Sequence, residues 1–237
     1  MNHQISGYIP PPQPVSIEAK VQRESPNNAS ISETRIGFDR LSLSRIQTTI
    51  GRCIQSLSGH LGTVRAVAFS SDGQIFASGS VDKTIKIWNP DTGELLHTYY
   101  GHSGGVNCVA FSPGGQTLAS GSFDKTIKIW NLESEELLNT LTSSRLDVVH
   151  SLAFSPNGSM LVSRDNDKRI KIWSLRSGKV FRNLEGHSGW VSSIAINPDG
   201  KTLSSGSADR TVKIWGLSSI PDFGTKPPSV LTVRSFG

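Results

Sequence analysis

A chain of 237 residues, 35% hydrophobic and 18% charged, is long enough for one large domain or two small ones and has the make-up of an ordinary β-rich protein. Its net charge of +5 is spread thinly, which argues against a general nucleic-acid binder, and two cysteines, Cys53 and Cys108, are too few for a disulfide framework and fit a reducing, cytoplasmic setting. No stretch approaches the ~20 apolar residues of a membrane-spanning helix, and the N-terminus shows no basic segment followed by an apolar run, so neither a membrane partner nor a secretory signal is expected.

Residues 1–37 read as a disordered leader, with a proline run at 10–14 and a breaker cluster at 25–30. Residues 38–58 carry a degenerate partial repeat, with strands expected over 41–46 and 52–57. From residue 59 the pattern is regular. Gly59-His60 opens a unit. An apolar run at 64–69 suits a strand buried on both faces. Ser70-Ser71-Asp72-Gly73 is a turn, and its counterparts Ser112-Pro113-Gly114-Gly115, Ser155-Pro156-Asn157-Gly158 and Asn197-Pro198-Asp199-Gly200 have type I chemistry. A second strand starts at 75, a third covers 84–88 and a fourth 94–99.

The third strand fixes the period. The run Asp-Lys-Thr-Ile-Lys-Ile-Trp at 82–88 returns at 124–130, as Asp-Lys-Arg-Ile-Lys-Ile-Trp at 167–173, and as Asp-Arg-Thr-Val-Lys-Ile-Trp at 209–215. Trp88, Trp130, Trp173 and Trp215 are therefore 42, 43 and 42 residues apart, the spacing of a repeat architecture. The repeats run over 59–100, 101–142, 143–185 and 186–217. A tail at 218–237 holds one further candidate strand at 230–233. A four-stranded meander cannot bury both of its faces alone, so the repeats should stack radially.

With Gly-His opening each unit and tryptophan closing its third strand, residues 52–217 resemble the WD40-repeat family. The expected fold class is all-β: about four four-stranded antiparallel blades over 38–217, forming an incomplete or open propeller. The near-identity of the repeats resembles that of bacterial, particularly cyanobacterial, members. One departure is systematic: the closing dipeptides are Trp88-Asn89, Trp130-Asn131, Trp173-Ser174 and Trp215-Gly216, never Trp-Asp.

Serine, histidine and aspartate recur as His60, Ser80, Asp82 and Trp88, as His102, Ser122, Asp124 and Trp130, and as His187, Ser207, Asp209 and Trp215. Taken singly, each set invites a hydrolase triad. Three equivalent copies, without a nucleophile elbow, argue for structure instead. The resemblance implies that each set is hydrogen-bonded inside its blade. The histidines are whole repeats apart and lack the clustering of a metal site, so neither cofactor nor metal is expected. Repeat three keeps Asp167 and Trp173 but has Ser144-Arg145 in place of Gly-His and Asp165 in place of Ser80. Either the repeat has drifted under the support of its neighbours, or it has been released for binding.

The resemblance also implies a partner surface, carried by the loops that join second and third strands and by the starts of the first strands. By position, these are Thr63, Arg65 and Val81; Gly105, Asn107 and Phe123; Val148, His150 and Asn166; and Trp190, Ser192 and Ala208. The strongest candidates for protein or peptide binding are Arg65, Val81, Asn107, Phe123, His150, Asn166 and Trp190, with Phe123 and Trp190 as aromatic anchors. An alternative is an acidic partner, or nucleic acid, on the basic run Arg164, Lys168, Arg169, Lys171, Arg176, Lys179 and Arg182. Four blades are few for a ring, which leaves three readings: a piece of a longer chain, two chains pairing into eight blades, or, as favoured, an open arc whose exposed end blades self-associate. On the drift reading, repeat three should exchange its amide hydrogens fastest, and protection equal to that of repeats one and two would contradict it.

Overall fold

The structure, a computed structural model, describes residues 53–143, 147–166, 168–220 and 223. These residues form 15 strands and, among themselves, no helix. Blade one holds β1 (Val64–Phe69), β2 (Phe76–Ser80), β3 (Ile85–Trp88) and β4 (Leu95–Tyr99). Blade two holds β5 (Val106–Phe111), β6 (Thr117–Ser122), β7 (Ile127–Asn131) and β8 (Leu137–Leu141). Blade three holds β9 (Ser151–Phe154), β10 (Met160–Arg164), β11 (Ile170–Ser174) and β12 (Lys179–Leu184). Blade four holds β13 (Val191–Ile196), β14 (Thr202–Ser207) and β15 (Val212–Gly216). Each sheet is an antiparallel meander in chain order. Blade four has three strands among the described residues, where four were expected. The candidate strands at 41–46 and 230–233 lie outside the described residues.

The segment 52–57 was expected to be a strand, and its described part, from Cys53, is not one. It matches the fourth strands of the repeats in position, but a match in position does not pair a segment with a sheet. Gln55 instead donates its side-chain N–H to the carbonyl of Thr92 at 3.0 Å, laying the segment on the β3–β4 turn.

The β2–β3 connection shows how the sequence builds its tight turns. Lys83 N–H donates to the Ser80 carbonyl, and Lys83 takes a left-handed φ of 74°. That conformation costs a non-glycine residue roughly 1–2 kcal/mol. Asp82 offsets it by accepting from the backbone N–H of Thr84 at 2.9 Å and from its hydroxyl at 2.6 Å. Lys125 and Arg210 repeat the conformation beside Asp124 and Asp209.

The core lies between blades. At the seam of blades one and two, Ala77, Ile85, Ile87 and Tyr99 meet Val106, Leu118 and Trp130. At the next seam Ala119, Ile127, Ile129 and Leu141 meet Val149, Leu161 and Trp173. At the third, Val162, Ile170 and Ile172 meet Val191 and Leu203. Leu217, the last residue of repeat four, is buried in this last cluster with Ile220 and Phe223 beyond it, so the start of the C-terminal tail is part of the core.

Seams this close leave no room at two glycines. A Cβ on Gly79 would stand 2.6 Å from Val106, and one on Gly121 would stand 2.5 Å from Val149 and 2.7 Å from the Cys108 sulfur. Gly121→Ala is therefore expected to cost about 1–3 kcal/mol through overpacking, read as a lower urea midpoint. Gly114, whose Cβ would meet nothing within 4 Å, is the control: Gly114→Ala should change stability by less than about 0.5 kcal/mol. Equal effects of the two would contradict the seam geometry.

Candidate functional site

Two constellations recur from blade to blade, one buried and one at the rim. The buried one joins the loop before the first strand to the second and third strands. In blade two, His102 Nδ1 lies 2.8 Å from Asp124 Oδ2 and its Nε2 lies 2.8 Å from Ser120 Oγ, while the Trp130 indole N–H donates to the same Ser120 Oγ at 2.8 Å. Blade one repeats this with His60, Asp82, Ser78 and Trp88, and blade four with His187, Asp209, Ser205 and Trp215. The proton assignment follows from the partners. The carboxylate only accepts, so Nδ1 carries the hydrogen; Nε2 then accepts from the serine hydroxyl, whose oxygen accepts from the indole.

The serine of the set is not the one the sequence pointed to. Ser78, Ser120 and Ser205 bond the histidines; Ser80, Ser122 and Ser207 do not. The two serines of each strand are two residues apart and share a face, so alternation cannot tell them apart. Register decides. Trp88 pairs with Phe76, and its indole reaches one step diagonally to Ser78. Ser80 lies about 7 Å further along the strand. There its hydroxyl oxygen accepts the N–H of Asp82 at 3.1 Å, and Ser122 and Ser207 do the same for Asp124 and Asp209.

This arrangement has the distances of a catalytic triad and cannot act as one. Ser78, Ser120 and Ser205 are buried, and each oxygen is already held by a tryptophan. A substrate carbonyl has no approach to them, and among the described residues no metal-binding cluster forms.

Blade three is built differently. Trp173 still donates to Ser163 at 2.8 Å. Ser144, Arg145 and Asp167 lie outside the described residues. Asp165 and Lys171 are both buried, with the ammonium 2.5 Å from the carboxylate. In blades one and two the equivalent lysines, Lys86 and Lys128, end instead on Thr98 and Thr140 at 3.0 Å. The basic run of this repeat is accordingly divided: Lys171 is buried on Asp165, Arg169 pairs with Glu185 at 2.7 Å, and Arg164 is half-buried.

At the rim, six of the seven residues singled out from the sequence are brought together. Arg65 Nη1 donates to Asn107 Oδ1 at 3.3 Å, and its guanidinium lies 5.0 Å over the Phe123 ring. Asn107 Nδ2 donates to the Val149 carbonyl at 3.0 Å and to His150 Nδ1 at 2.9 Å. His150 Nε2–H then donates to Asn166 Oδ1 at 2.7 Å. Val81 and Phe123 flank Gly105, where a Cβ would stand 3.0 Å from Val81. Trp190 is exposed, and no described contact of its side chain ties it to the others. Its carbonyl accepts the N–H of Ala208.

The sequence did not show why these positions face outward. In blades one, two and four the register shifts between Val64 and Ala66, Val106 and Cys108, and Val191 and Ser193. Arg65, Asn107 and Ser192 are thus bulged residues, re-aimed out of the ladder. Arg164 departs from its equivalents in the other blades. It replaces the glycine found at 79, 121 and 206, and its Nε is buried with no hydrogen-bond partner among the described residues.

Acid should loosen the buried sets. Burial alone would raise the Asp124 carboxyl, but hydrogen bonds from Thr126, His102 and the Ser103 N–H hold it down to about 2. Asp209 is lowered chiefly by the Thr211 hydroxyl, and Asp82 by Thr84 and His60 against its burial. Burial lowers His102 from 6.5, with Asp124 opposing. For each group the folded pKa lies below the unfolded one, so on acidification the unfolded chain takes up the proton first. Stability should decline gently below pH 6.5 through His102 and steeply between 3.8 and about 2 through the aspartates. Urea midpoints measured across this range check it; a flat profile would contradict it.

The model of the family described as "WD domain, G-beta repeat" matches residues 51–89, 93–131, 135–174 and 178–216, about two thirds of the chain. The vegetative incompatibility protein HET-E-1 of Podospora anserina is 52% identical over 52 residues, covering 22% of this chain and 4% of its own length. The pre-mRNA-splicing factor prp46 of Emericella nidulans is 50% identical over 44 residues, covering 19% and 10%. The serine-threonine kinase receptor-associated protein of Rattus norvegicus is 32% identical over 87 residues, covering 34% and 25%. The chain thus spans a quarter or less of the length of these relatives. With four matches to the family model on four stacked antiparallel sheets, the chain belongs to the WD40-repeat family.

Proposed function

We propose that this chain is a non-enzymatic scaffold that binds a protein or peptide partner on the rim where Arg65, Val81, Asn107, Phe123, His150 and Asn166 meet, with Trp190 as a separate anchor on blade four. The observation that carries this reading is the continuous contact from Phe123 through Arg65, Asn107 and His150 to Asn166 across three blades. An arginine stacked on an exposed aromatic ring is a low-entropy anchor of the kind that dominates interfaces. The chain of hydrogen bonds holds the polar groups in place before a partner arrives, which lowers the ordering cost of binding. Relatives such as a splicing factor and a receptor-associated protein support an interaction role in general terms.

The alternative of an acidic partner or nucleic acid on the basic run is weaker, because Lys171 and Arg169 of that run are engaged with Asp165 and Glu185. A cytoplasmic setting belongs to this reading and is supported by the free thiols of Cys53 and Cys108, the latter pushed up to about 12 by burial. The affinity to bacterial, particularly cyanobacterial, members rests on the near-identity of the repeats.

The immobilised chain and its Phe123→Ala, Trp190→Ala double variant decide the matter by quantitative capture. Proteins retained by the first should be depleted at least tenfold on the second, with unchanged urea midpoints. Equal capture would place the binding surface elsewhere.

A further inference from the structure

The three seams are built to one pattern, and the chain carries the two halves of a fourth. On the leading side of each seam stands the Ile-Lys-Ile of a third strand: Ile85 and Ile87, Ile127 and Ile129, Ile170 and Ile172, all buried. On the following side stand the apolar residues of the next first strand: Val106, Val109 and Phe111; Val149, Leu152 and Phe154; Val191, Ile194 and Ile196. In blade four the leading residues are Val212 and Ile214, each 75% exposed. In blade one the following residues are Val64, Val67 and Phe69, at 47%, 70% and 64%. The same side chains, in the same register, are buried or partly buried where a described neighbouring blade packs on them and exposed where none does.

We infer that the trailing face of blade four receives β1 of a second copy of this chain, through a seam made like the three internal ones. The contact is head-to-tail, because the two surfaces differ: a β15 face bearing Val212 and Ile214, and a β1 face bearing Val64, Val67 and Phe69. A head-to-tail contact either closes a ring or runs on as a filament. Two copies of the four described blades close at eight, within the range of blade numbers that propellers adopt. The inference does not depend on which partner the rim takes.

The test uses the full chain and two single variants placed at exposed positions, Val67→Glu and Ile214→Glu, so that folding of each blade is not at issue; urea midpoints verify this. By sedimentation or light scattering at micromolar concentration, the wild-type chain should have twice its mass of 25.6 kDa. Each variant alone should fall to half that value, since each copy contributes both faces. Mixing the two variants should restore the doubled mass, because the intact β15 face of one then meets the intact β1 face of the other. A monomeric wild type, or single variants that stay dimeric, would overturn the docking site. Failure of the mixture to associate would overturn the head-to-tail arrangement, and a wild type larger than a dimer would overturn closure.

Discussion

Each blade of this chain owes its core to the next one. A meander of short strands has two apolar faces and no means of covering either. The isoleucines of β3, β7 and β11 are buried in clusters completed by the following blade, among them Val106, Leu118 and Trp130 at the first seam. Burying an isoleucine or valine contributes roughly 1.5–3 kcal/mol, so the seams rather than the sheets hold most of the stabilising free energy. Such a structure is close to one-dimensional, with each unit depending on its neighbours. The close approach of adjacent sheets then dictates local detail, including the two glycines that admit no Cβ.

Close stacking also buries polar groups, and these set the second layer of constraint. An indole N–H left unpaired in the core costs about 1–3 kcal/mol. The tryptophan–serine–histidine–aspartate chain satisfies one group with the next and ends on a carboxylate that also fixes a left-handed turn. Fold and turn are thereby coupled: the residue that completes the buried chain is the one that holds Lys83, Lys125 or Arg210 in its conformation. Blade three shows that the set changes together. Where Thr98 and Thr140 receive a lysine in blades one and two, blade three has Asn183, and Lys171 meets Asp165 instead. Asp165 in turn stands where the others have serine. A buried carboxylate without the lysine, or the lysine without the carboxylate, would leave a charge uncompensated at a cost of roughly 3–5 kcal/mol. These substitutions compensate one another.

Much of this was legible in the sequence, because the period of 42 or 43 residues repeats every structural requirement four times. Strand order, blade count and the turns at Gly73, Gly115, Gly158 and Gly200 all follow from it. What failed to follow depended on register. Ala-Ser-Gly-Ser offers two serines on one face, and the choice of Ser78 over Ser80 needs the pairing of Phe76 with Trp88. The stretch from Cys53 to Leu57 matches a fourth strand in position, but whether it pairs depends on an available edge, which no local pattern records. The bulges at Arg65, Asn107 and Ser192 are equally silent in the sequence, since one extra residue in a ladder leaves the apolar spacing on either side nearly intact.

Those bulges bear on why the rim differs from the seams. In a regular ladder the side chain at position 65 would point into the stack, where an arginine is costly. The bulge turns it outward onto Phe123 while its neighbours, Val64 and Ala66, stay in the sheet. The first strands can therefore carry one freely variable residue each without disturbing the core, and the chain uses that freedom: arginine, asparagine, histidine and serine occupy the four equivalent places. The constraint that makes the seams alike is lifted there, and also on the outer strands, where Leu96 and Leu138 are exposed. At positions 65, 107 and 192 a side chain can therefore change without having to satisfy the blade that packs against its own.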